Sequence, residues 1–236
     1  MGFYRGPNIV TDDLKLALDA GSERSYSGSG TSWKDLVGNN NGVLNNSPTF
    51  SAANGGSFDF DGVDDYASVP TSTDLELTNV GTISAWIKPH TLTQGSYANI
   101  VSKNSGGGTN LQSYTFSWRQ VSNAIFLEIC NGSGGYNNLT AALPTTANVW
   151  YNLVGTWNGS NLYIYINGVV KATLAQTINA QVLNTDLTIG GFTYNGSGGS
   201  YSYFNGNISN VKIYKKGFTA AEVTQNYNAQ KSRFGL

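Results

Sequence analysis

The feature that most constrains this chain is the recurrence of short runs in which apolar and polar residues alternate, separated by clusters of Gly, Asn and Ser. Leu14, Leu16 and Leu18 alternate in the first run, and Phe58 and Phe60 alternate in a later one. Successive side chains of a β-strand point to opposite faces, so each run predicts a strand with one buried face. Many such strands predict an all-β sandwich or barrel. Further runs occupy 66–69, 83–87, 99–103, 113–118, 124–129, 149–157, 161–166, 169–174, 186–190 and 207–214.

The strongest local signal is Asn167-Gly168, which separates two of these runs. Both residues tolerate positive φ, and a type I′ turn has the twist that joins two antiparallel strands. The sequence therefore predicts a hairpin at this position. In the last run Ile208, Val211 and Ile213 do not alternate strictly, which predicts a bulge near Asn210.

A different pattern near the end predicts one short helix. Thr219 and Glu222 have the spacing of a capping box, in which the hydroxyl and the carboxylate each bind a free backbone N–H group. Phe218 before the cap and Val223 inside the helix have the spacing of a hydrophobic staple. We expect this helix to run to about Gln230 and to pack on the sandwich.

Composition excludes several classes of protein. Charged residues make up 11% of the 236 residues, against roughly 25% in an average protein, and the formal net charge is −1. No run of Lys or Arg could neutralise a phosphate backbone, so nucleic-acid binding is not expected. No apolar stretch approaches the roughly 18 residues of a membrane span, so no membrane partner is expected.

Domain organisation is predicted to be simple. No internal repeat and no Pro-rich or charged linker divides the chain, so we predict a single domain over 13–236 after an N-terminal arm, 1–12. Gly/Ser/Asn clusters at 27–32, 104–110, 131–138 and 194–200 are predicted to be loop tips. Cys130 is the only cysteine, so the chain cannot form an internal disulfide.

Catalytic groups are not apparent. A glycosidase needs two carboxylates about 5–10 Å apart, which on a strand means acids at i and i+2 or i+4. Glu128 stands alone in an apolar run, while Asp74 and Glu76 lie in a Thr/Ser-rich connection. His90, the only histidine, follows Pro89 without a nucleophile motif nearby. The sequence therefore predicts a protein that is not an enzyme.

Aromatic residues in polar loops are the candidates for ligand binding. A flat ring can stack on the face of a sugar while Asn and Asp side chains bind its hydroxyl groups. The alternative for each tyrosine is a lid over the core or a contact between copies of the chain. The candidates are Tyr97, Tyr136, Tyr194, Tyr201 and Tyr203.

Eight motifs in order resemble the laminin G-like, pentraxin-like branch of the concanavalin A-like jelly rolls. The resemblance spans about residues 57–230, and it implies an antiparallel two-sheet jelly-roll β-sandwich with one short C-terminal helix. It also implies that Trp86, Trp150 and Trp157 are buried. The motifs are 58–66, 81–89, 100–103, 150–157, 162–168, 187–190, 204–214 and the 218–227 helix.

The acidic residues of the first of these motifs are a candidate calcium site. Ca²⁺ prefers six to eight oxygen ligands, which carboxylates and a Gly-containing turn can supply. The acidic run suggests a site at Asp61, Asp64 and Asp65. Relatives in this branch often bind Ca²⁺ at the rim of the sandwich, which is consistent with such a site. The alternative is that these residues only form a tight turn. No other cofactor is expected.

Residues 7–50 more loosely resemble the opening that precedes this domain in structural proteins of tailed bacteriophages. That resemblance implies a virion protein (a capsid decoration, head-fibre or tail-associated protein) assembled in the host cytoplasm and exposed after lysis. The implied partners are other virion proteins, further copies of the chain and host-surface glycans. An N-terminus without a signal pattern and a chain without a disulfide fit this expectation. The alternative is a carbohydrate-binding lectin module of a secreted protein.

Overall fold

Two antiparallel β-sheets packed face to face form the fold. The computed structural model describes residues 7–94, 96–105, 111–119, 124–191 and 203–236. Within these ranges the chain forms sixteen strands and one α-helix, α1, Ala220–Gln230. The predicted jelly-roll sandwich is confirmed. The strands are β1 Leu14–Asp19, β2 Ser32–Trp33, β3 Gly42–Asn45, β4 Thr49–Ser51, β5 Ser57–Asp61, β6 Tyr66–Val69, β7 Val80–Pro89, β8 Ala98–Asn104, β9 Gln112–Arg119, β10 Ala124–Cys130, β11 Tyr136–Ala142, β12 Tyr151–Asn158, β13 Asn161–Ile166, β14 Val169–Ala175, β15 Leu187–Ile189 and β16 Asn205–Tyr214.

Each sheet contains eight strands in the described residues. Sheet A has the order β14-β13-β12-β7-β16-β5-β4, with β1 paired to the second half of β16. Sheet B has the order β11-β10-β9-β8-β15-β6-β3-β2. Neighbours in both sheets are often far apart in sequence, as in a jelly roll.

The core lies between the sheets and is rich in aromatic rings. The alternation predicted for β7 holds, because Ile83, Ala85 and Ile87 are fully buried members of this core. Burying each large side chain of this kind contributes roughly 1.5–3 kcal/mol. The largest core members are Trp33, Phe58, Phe60, Tyr114, Phe116, Trp118, Trp157 and Phe204.

Three local predictions are confirmed. Asn167 and Gly168 have φ of 52° and 78°, as a type I′ turn requires, and they join β13 to β14. The pairing of β16 with β7 shifts register between Ile208 and Asn210, which is the predicted bulge. Thr219 caps α1 with a complete capping box.

One predicted loop is partly wrong. The cluster 131–138 was expected to be a loop tip, but β11 begins within it at Tyr136. Asn137, Leu139 and Ala141 of this strand point inward, while the residues between them are exposed. The alternation could not be recognised in the sequence, because one of the buried positions is occupied by a polar residue, Asn137. Its side chain forms hydrogen bonds with Thr177.

The outer face of sheet A is covered by the C-terminal segment, residues 219–234. The indole of Trp86 stacks on Phe234 at 4.0 Å and on Tyr227 at 5.8 Å, and its N–H donates to Gln230. Trp150 contacts the same Phe234 ring at 4.8 Å. Trp86 and Trp150 are thus buried as expected, but outside the sandwich core rather than within it.

Arg233 fixes this segment to the sandwich. Its guanidinium pairs with Asp19 at 2.8 Å and donates to Ser209 Oγ at 2.7 Å. It also donates to the backbone carbonyl oxygens of residues 54–56 at distances of 2.9–3.1 Å. One side chain therefore joins three separate parts of the chain.

Lys212 lies under the same segment without a carboxylate in hydrogen-bond contact. Its Nζ donates to Asn210 Oδ1 at 2.8 Å and to Gln230 Oε1 at 3.3 Å. Burial lowers the pKa of this amine to about 8, partly opposed by the charge of Asp19. The covered face thus contains a buried amine that is costly to protonate.

The described part of the N-terminal segment contacts α1. The Val10 N–H donates to Asn226 Oδ1 at 2.7 Å, and the Asn8 carbonyl accepts from Gln225. The division between an arm, 1–12, and a domain, 13–236, stays a prediction. Among the described residues, no helix has the length and apolar character needed to cross a membrane.

Candidate ligand-binding site

Strand register brings several predicted site residues to one end of the sandwich. Ile189 at the end of β15 pairs with Ala67 of β6 and Val101 of β8. Ala98 at the start of β8 pairs with Trp118, so the end of β9 lies at the same end. We call this end the rim, formed by the turn 61–65, residues 90–94, Tyr97, Arg119 and Tyr203.

The acidic turn of the rim brings three carboxylates together. Asp61 Oδ1 accepts hydrogen bonds from the N–H groups of Val63 at 2.7 Å and Asp64 at 3.3 Å. Asp65 Oδ2 accepts from the Asp61 N–H at 3.1 Å. One oxygen of each of Asp61, Asp64 and Asp65 lies within 4.8 Å of the others.

The pKa values of two of these carboxyl groups are shifted in opposite directions. Burial raises the pKa of Asp65 to about 6, and the negative charges of Asp61, Asp64 and Asp59 add to this effect. The pKa of Asp61 is lowered, mainly by the hydrogen bond from the Val63 N–H. A cation at the turn would relieve the repulsion that disfavours ionised Asp65.

These residues fit the requirements of a hard divalent cation. The three carboxylates supply oxygen donors, which Ca²⁺ prefers. Asp61 and Asp65 each use one oxygen in the backbone hydrogen bonds described above and keep a second oxygen. The turn therefore has the donors for a calcium site, which stays a prediction.

Tyr203 lies beside the acidic turn. Its ring centroid is 6.5 Å from that of Tyr66, the residue that follows Asp65. Burial raises the pKa of the Tyr203 hydroxyl, with smaller effects from Tyr66 and Asp64. The ring is only half-buried, so an aromatic surface adjoins the carboxylates.

Tyr97 forms a second aromatic surface of the rim. The Arg119 guanidinium lies 4.8 Å from its ring centre and 3.2 Å from the ring centre of buried Phe126. Arg119 also contacts Glu128 at 3.8 Å. Tyr97 itself is 41% exposed. The cation thus contacts the ring of a tyrosine that remains partly exposed.

Of the other tyrosine candidates, Tyr136 is not brought to the rim. Tyr136 is 53% exposed and pairs with Cys130, the last residue of β10, at the opposite end of sheet B. Tyr194 and Tyr201 lie outside the described residues. The structure therefore places Tyr97 and Tyr203 at one end of the sandwich and Tyr136 at the other.

The amide and imidazole side chains at the rim were not predicted as site residues. Gln94 binds the backbone of Asn205 through both its amide oxygen and its amide nitrogen. His90 Nε2 lies 3.2 Å from Asn207 Oδ1 and 3.5 Å from Asp59. The contacts to Asn205 and Asn207 join residues more than a hundred positions apart in sequence, and Asp59 is also distant from His90. No local sequence pattern could therefore predict these contacts.

The outer face of sheet B carries a row of small polar side chains. Residues directly opposite one another across the strands share a face. The hydroxyls of Ser102 and Thr115 are 3.2 Å apart, and Thr188 donates to the Ser102 carbonyl. In the next row, Ser117 Oγ is buried without a hydrogen-bond partner. The first row runs through Asn138, Glu128, Thr115, Ser102, Thr188, Ser68, Val43 and Ser32.

Glu128 and Cys130 lie on this face and are buried. Burial raises the pKa of Glu128, although Arg119 opposes the shift. Burial also raises the pKa of the Cys130 thiol to about 12. Glu128 is the only acid among the described residues whose register places them on the outer face of sheet B.

Of the other acids flagged by the sequence, Glu76 has a structural partner and Asp74 lies in a loop. Glu76 pairs with the fully buried Lys103 at 3.3 Å. Lys103 also donates to Thr71 Oγ1 and to the Thr185 carbonyl. Asp74 lies in a short 3₁₀ turn, Thr73–Leu75. These contacts hold loops to the sandwich.

A family model describes the sequence that builds this fold. The model of the concanavalin A-like lectin/glucanases superfamily matches residues 61–224, more than half of the chain. The chain belongs to this superfamily. No curated protein sequence matches the chain significantly.

Solved structures similar to this superfamily member include binding domains of clostridial toxins. The receptor-binding domain of botulinum neurotoxin C/D mosaic serotype is 16% identical with a TM-score of 0.72, covering 94% of this chain and 52% of that one. The ligand-binding domain of botulinum neurotoxin serotype D, in complex with N-acetylneuraminic acid, is 15% identical with a TM-score of 0.70 over 93% and 51%. The binding domain of Paraclostridial mosquitocidal protein 1 is 15% identical with a TM-score of 0.67 over 92% and 52%. This chain spans about half the length of these structures, and the likeness shows a shared fold.

Proposed function

We propose that this chain is a non-catalytic domain that binds glycans through its rim. The observation that carries the proposal is the placement of Tyr203 beside the Asp61, Asp64 and Asp65 carboxylates, with exposed Tyr97 at the same end. An aromatic face next to several hydrogen-bond acceptors suits a sugar ring, which has apolar C–H faces and polar hydroxyl edges.

Calcium at the acidic turn is part of this proposal. Ca²⁺ would bind Asp61, Asp64 and Asp65 and could take sugar hydroxyl oxygens among its remaining ligands. Since the pKa of Asp65 is about 6, Ca²⁺ must compete with a proton below that pH. Calcium affinity is therefore expected to fall as the pH drops through 6.

Two further observations support binding rather than catalysis. Glu128 faces Arg119 on the outer face of sheet B, where the described residues supply no second carboxylate to complete a glycosidase pair. One of the structural neighbours was solved with N-acetylneuraminic acid, and another with SialylT. These neighbours make an acidic sugar a suitable first ligand to test on this chain.

A glycan array with and without calcium tests this proposal. Tyr203→Ala and Asp65→Asn should each reduce retention of bound glycans at least tenfold, because they remove the aromatic face and a calcium ligand. Tyr136→Ala is the matched control, an exposed tyrosine at the opposite end, and should leave retention unchanged. Terbium luminescence should report the cation site directly and should be lost in Asp65→Asn.

Two results would contradict the proposal. The first is an array on which no glycan is retained by the wild-type chain in millimolar calcium. The second is retention that Tyr136→Ala weakens as much as Tyr203→Ala does. Cleavage of any retained oligosaccharide would contradict the non-catalytic part.

We propose further that the chain works in the virion of a tailed bacteriophage, as a capsid decoration, head-fibre or tail-associated protein assembled from several copies. Support comes from the resemblance of residues 7–50 to the openings of such proteins and from a fold that needs no disulfide. The alternative is a lectin module of a secreted protein. Mass spectrometry of purified particles decides between them, since a secreted lectin would be absent from particles.

Attachment to other virion proteins is proposed to use the N-terminal arm, residues 1–12, and within it chiefly residues 1–6. Phe3 and Tyr4 are aromatic residues in a stretch of sequence that also contains Gly2 and Gly6. Deleting residues 1–6 should abolish incorporation into particles and leave the melting temperature unchanged, because Asn8 and Val10 keep their contacts with α1. Unchanged incorporation would contradict this role.

A further inference from the structure

A separate cavity lies in the N-terminal part of the sandwich, outside the residues matched by the superfamily model. It has a volume of about 320 Å³ and lies between residues 20–28 and 50–56. We call it the glycine-walled pocket. Neither the acidic turn nor any rim tyrosine lines it, so the proposed rim site does not account for it.

Two glycine-containing segments build the wall of this pocket. A Cβ atom on Gly21 would collide with the Gly55 carbonyl oxygen, and one on Gly56 would lie 2.5 Å from the Gly21 Cα. Gly56 also has a φ of 105°, which favours glycine. The two backbones therefore touch, and Arg233 fixes one of them by binding the carbonyls of Gly55 and Gly56. The wall is therefore a fixed backbone surface.

Aromatic rings form the apolar side of the pocket. Tyr26 and Phe50 both line it, with ring centres 5.0 Å apart and planes at 50°. Tyr26 packs edge-on against core Phe58 at 4.7 Å, and its hydroxyl donates to the Gly30 carbonyl at 3.1 Å. Both rings are thus held in place by contacts with the core and with the loop.

Polar groups surround these rings. Glu23 and Ser27 line the glycine-walled pocket and also line a neighbouring cavity of about 180 Å³. That second cavity adds the cations of Arg24 and Lys34 and several hydroxyl groups. The two cavities together offer hydrogen-bond acceptors and donors on both sides of the loop 23–30.

The ligand must match an apolar corner flanked by mixed polar groups. Phe50 is partly exposed whereas Tyr26 is only 7% exposed, so a single aromatic surface faces the pocket. A quaternary ammonium group requires rings on several sides. Glu23, Arg24 and Lys34 carry both signs of charge, so a strongly charged ligand gains little. We infer that the glycine-walled pocket and its neighbour form a second binding site, for a short neutral oligosaccharide with one sugar against the exposed part of the Phe50 ring.

This site lies away from the rim along the same strand. Gly56 adjoins the first residue of β5, while the acidic turn begins at Asp61, the last residue of that strand. Four residue steps of a strand span roughly 13 Å. Two sites on one domain would raise the avidity for a multivalent glycan surface well above either affinity.

Blocking the pocket without disturbing the core tests this inference. Ala52 is an exposed lining residue with ordinary helical φ and ψ, so Ala52→Trp should fill the entrance and leave the fold intact. Ala53→Trp is the matched control, because Ala53 is also exposed but does not line the cavity. Circular dichroism and melting temperature should be the same for both variants.

The readout is a neutral-glycan array, followed by saturation-transfer NMR with the retained sugar. We expect at least one neutral glycan whose affinity falls tenfold or more in Ala52→Trp and Glu23→Gln. The same glycan should be unaffected by Ala53→Trp, by Asp65→Asn and by EDTA.

Failure of this site is distinguishable from failure of the rim. If every glycan retained by the wild type keeps its affinity in Ala52→Trp, or if no neutral glycan is retained, the second site is overturned while the rim results stand. Displacement of the sugar by tetramethylammonium from the same pocket would also overturn the assigned ligand class.

Discussion

The outer faces of the two sheets are both buried at their centres, but by different means. On sheet A, large rings from the C-terminal segment cover Trp86, and a lone amine, Lys212, lies among amide groups. On sheet B, small hydroxyl residues fill the centre, and the buried charge of Glu128 faces Arg119. The comparison teaches that the two sheets bury the centres of their outer faces with opposite chemistry, aromatic on sheet A and hydroxyl on sheet B.

The largest expected effect comes from breaking the cover of sheet A. Trp86→Ala removes a fully buried indole and its stack with Phe234 and Tyr227, which should cost about 3–5 kcal/mol of unfolding free energy. Urea denaturation measures this loss. A loss below 1 kcal/mol would show that the C-terminal segment contributes little to stability.

The lone amine of the same face predicts a pH dependence. The folded pKa of Lys212, about 8, lies below the 10.5 of the unfolded chain, so between these values the unfolded state binds more protons. Stability from this group is therefore lost as the pH falls through 8 and regained as it rises. Lys212→Met removes the dependence. The stability of wild type relative to Lys212→Met should rise by about 2 kcal/mol between pH 7 and pH 9.5.

Other ionisations cancel in that difference, because both proteins share them. The measurement is urea denaturation of the two proteins at each pH. An unchanged difference between pH 7 and pH 9.5 would mean that the amine is better solvated than its burial implies.

The ion pair between Glu128 and Arg119 on sheet B should contribute less to the unfolding free energy than the groups on sheet A. Burial raises the pKa of Glu128 despite Arg119, so the carboxylate gains less from its partner than it loses from water. Glu128→Gln should therefore change the unfolding free energy by about 1 kcal/mol or less, and Arg119 keeps its contacts with Tyr97 and Phe126. A loss above 3 kcal/mol would reverse this ranking of the two faces.

The smallest effect is expected at Ser117. Its buried hydroxyl has no hydrogen-bond partner, so Ser117→Ala removes an uncompensated polar group. Stability should stay equal or increase by a few tenths of a kcal/mol, as measured by thermal unfolding. Thr115→Ala is the comparison, because that hydroxyl has Ser102 as its partner and its loss should be destabilising.

Those elements that depend on local rules could be predicted from the sequence. The Asn167-Gly168 turn and the Thr219 cap each depend on residues within a few positions, and both were confirmed. The bulge before Asn210 followed from a break in alternation within one strand. For the proposed site, the cluster of carboxylates at 61–65 could be predicted because its members are close in sequence.

Features that depend on distant contacts could not be predicted. Lys103 interrupts an apolar strand yet points inward, because Glu76 and two loop oxygens receive its amine. Trp86 was expected in the sandwich core, but strand register turns it outward and residues near the C-terminus cover it. The proximity of Tyr203 to the acidic turn likewise depends on the pairing of β16 with β5.

The burial of Cys130 has a consequence for where this protein can work. Its thiol stays protonated at physiological pH, since burial raises its pKa to about 12, and a thiol rather than a thiolate is a poor partner in disulfide exchange. With no second cysteine in the sequence, the fold holds no bond that a reductant could open. The conformation of this chain is therefore expected to be insensitive to the redox potential of its surroundings.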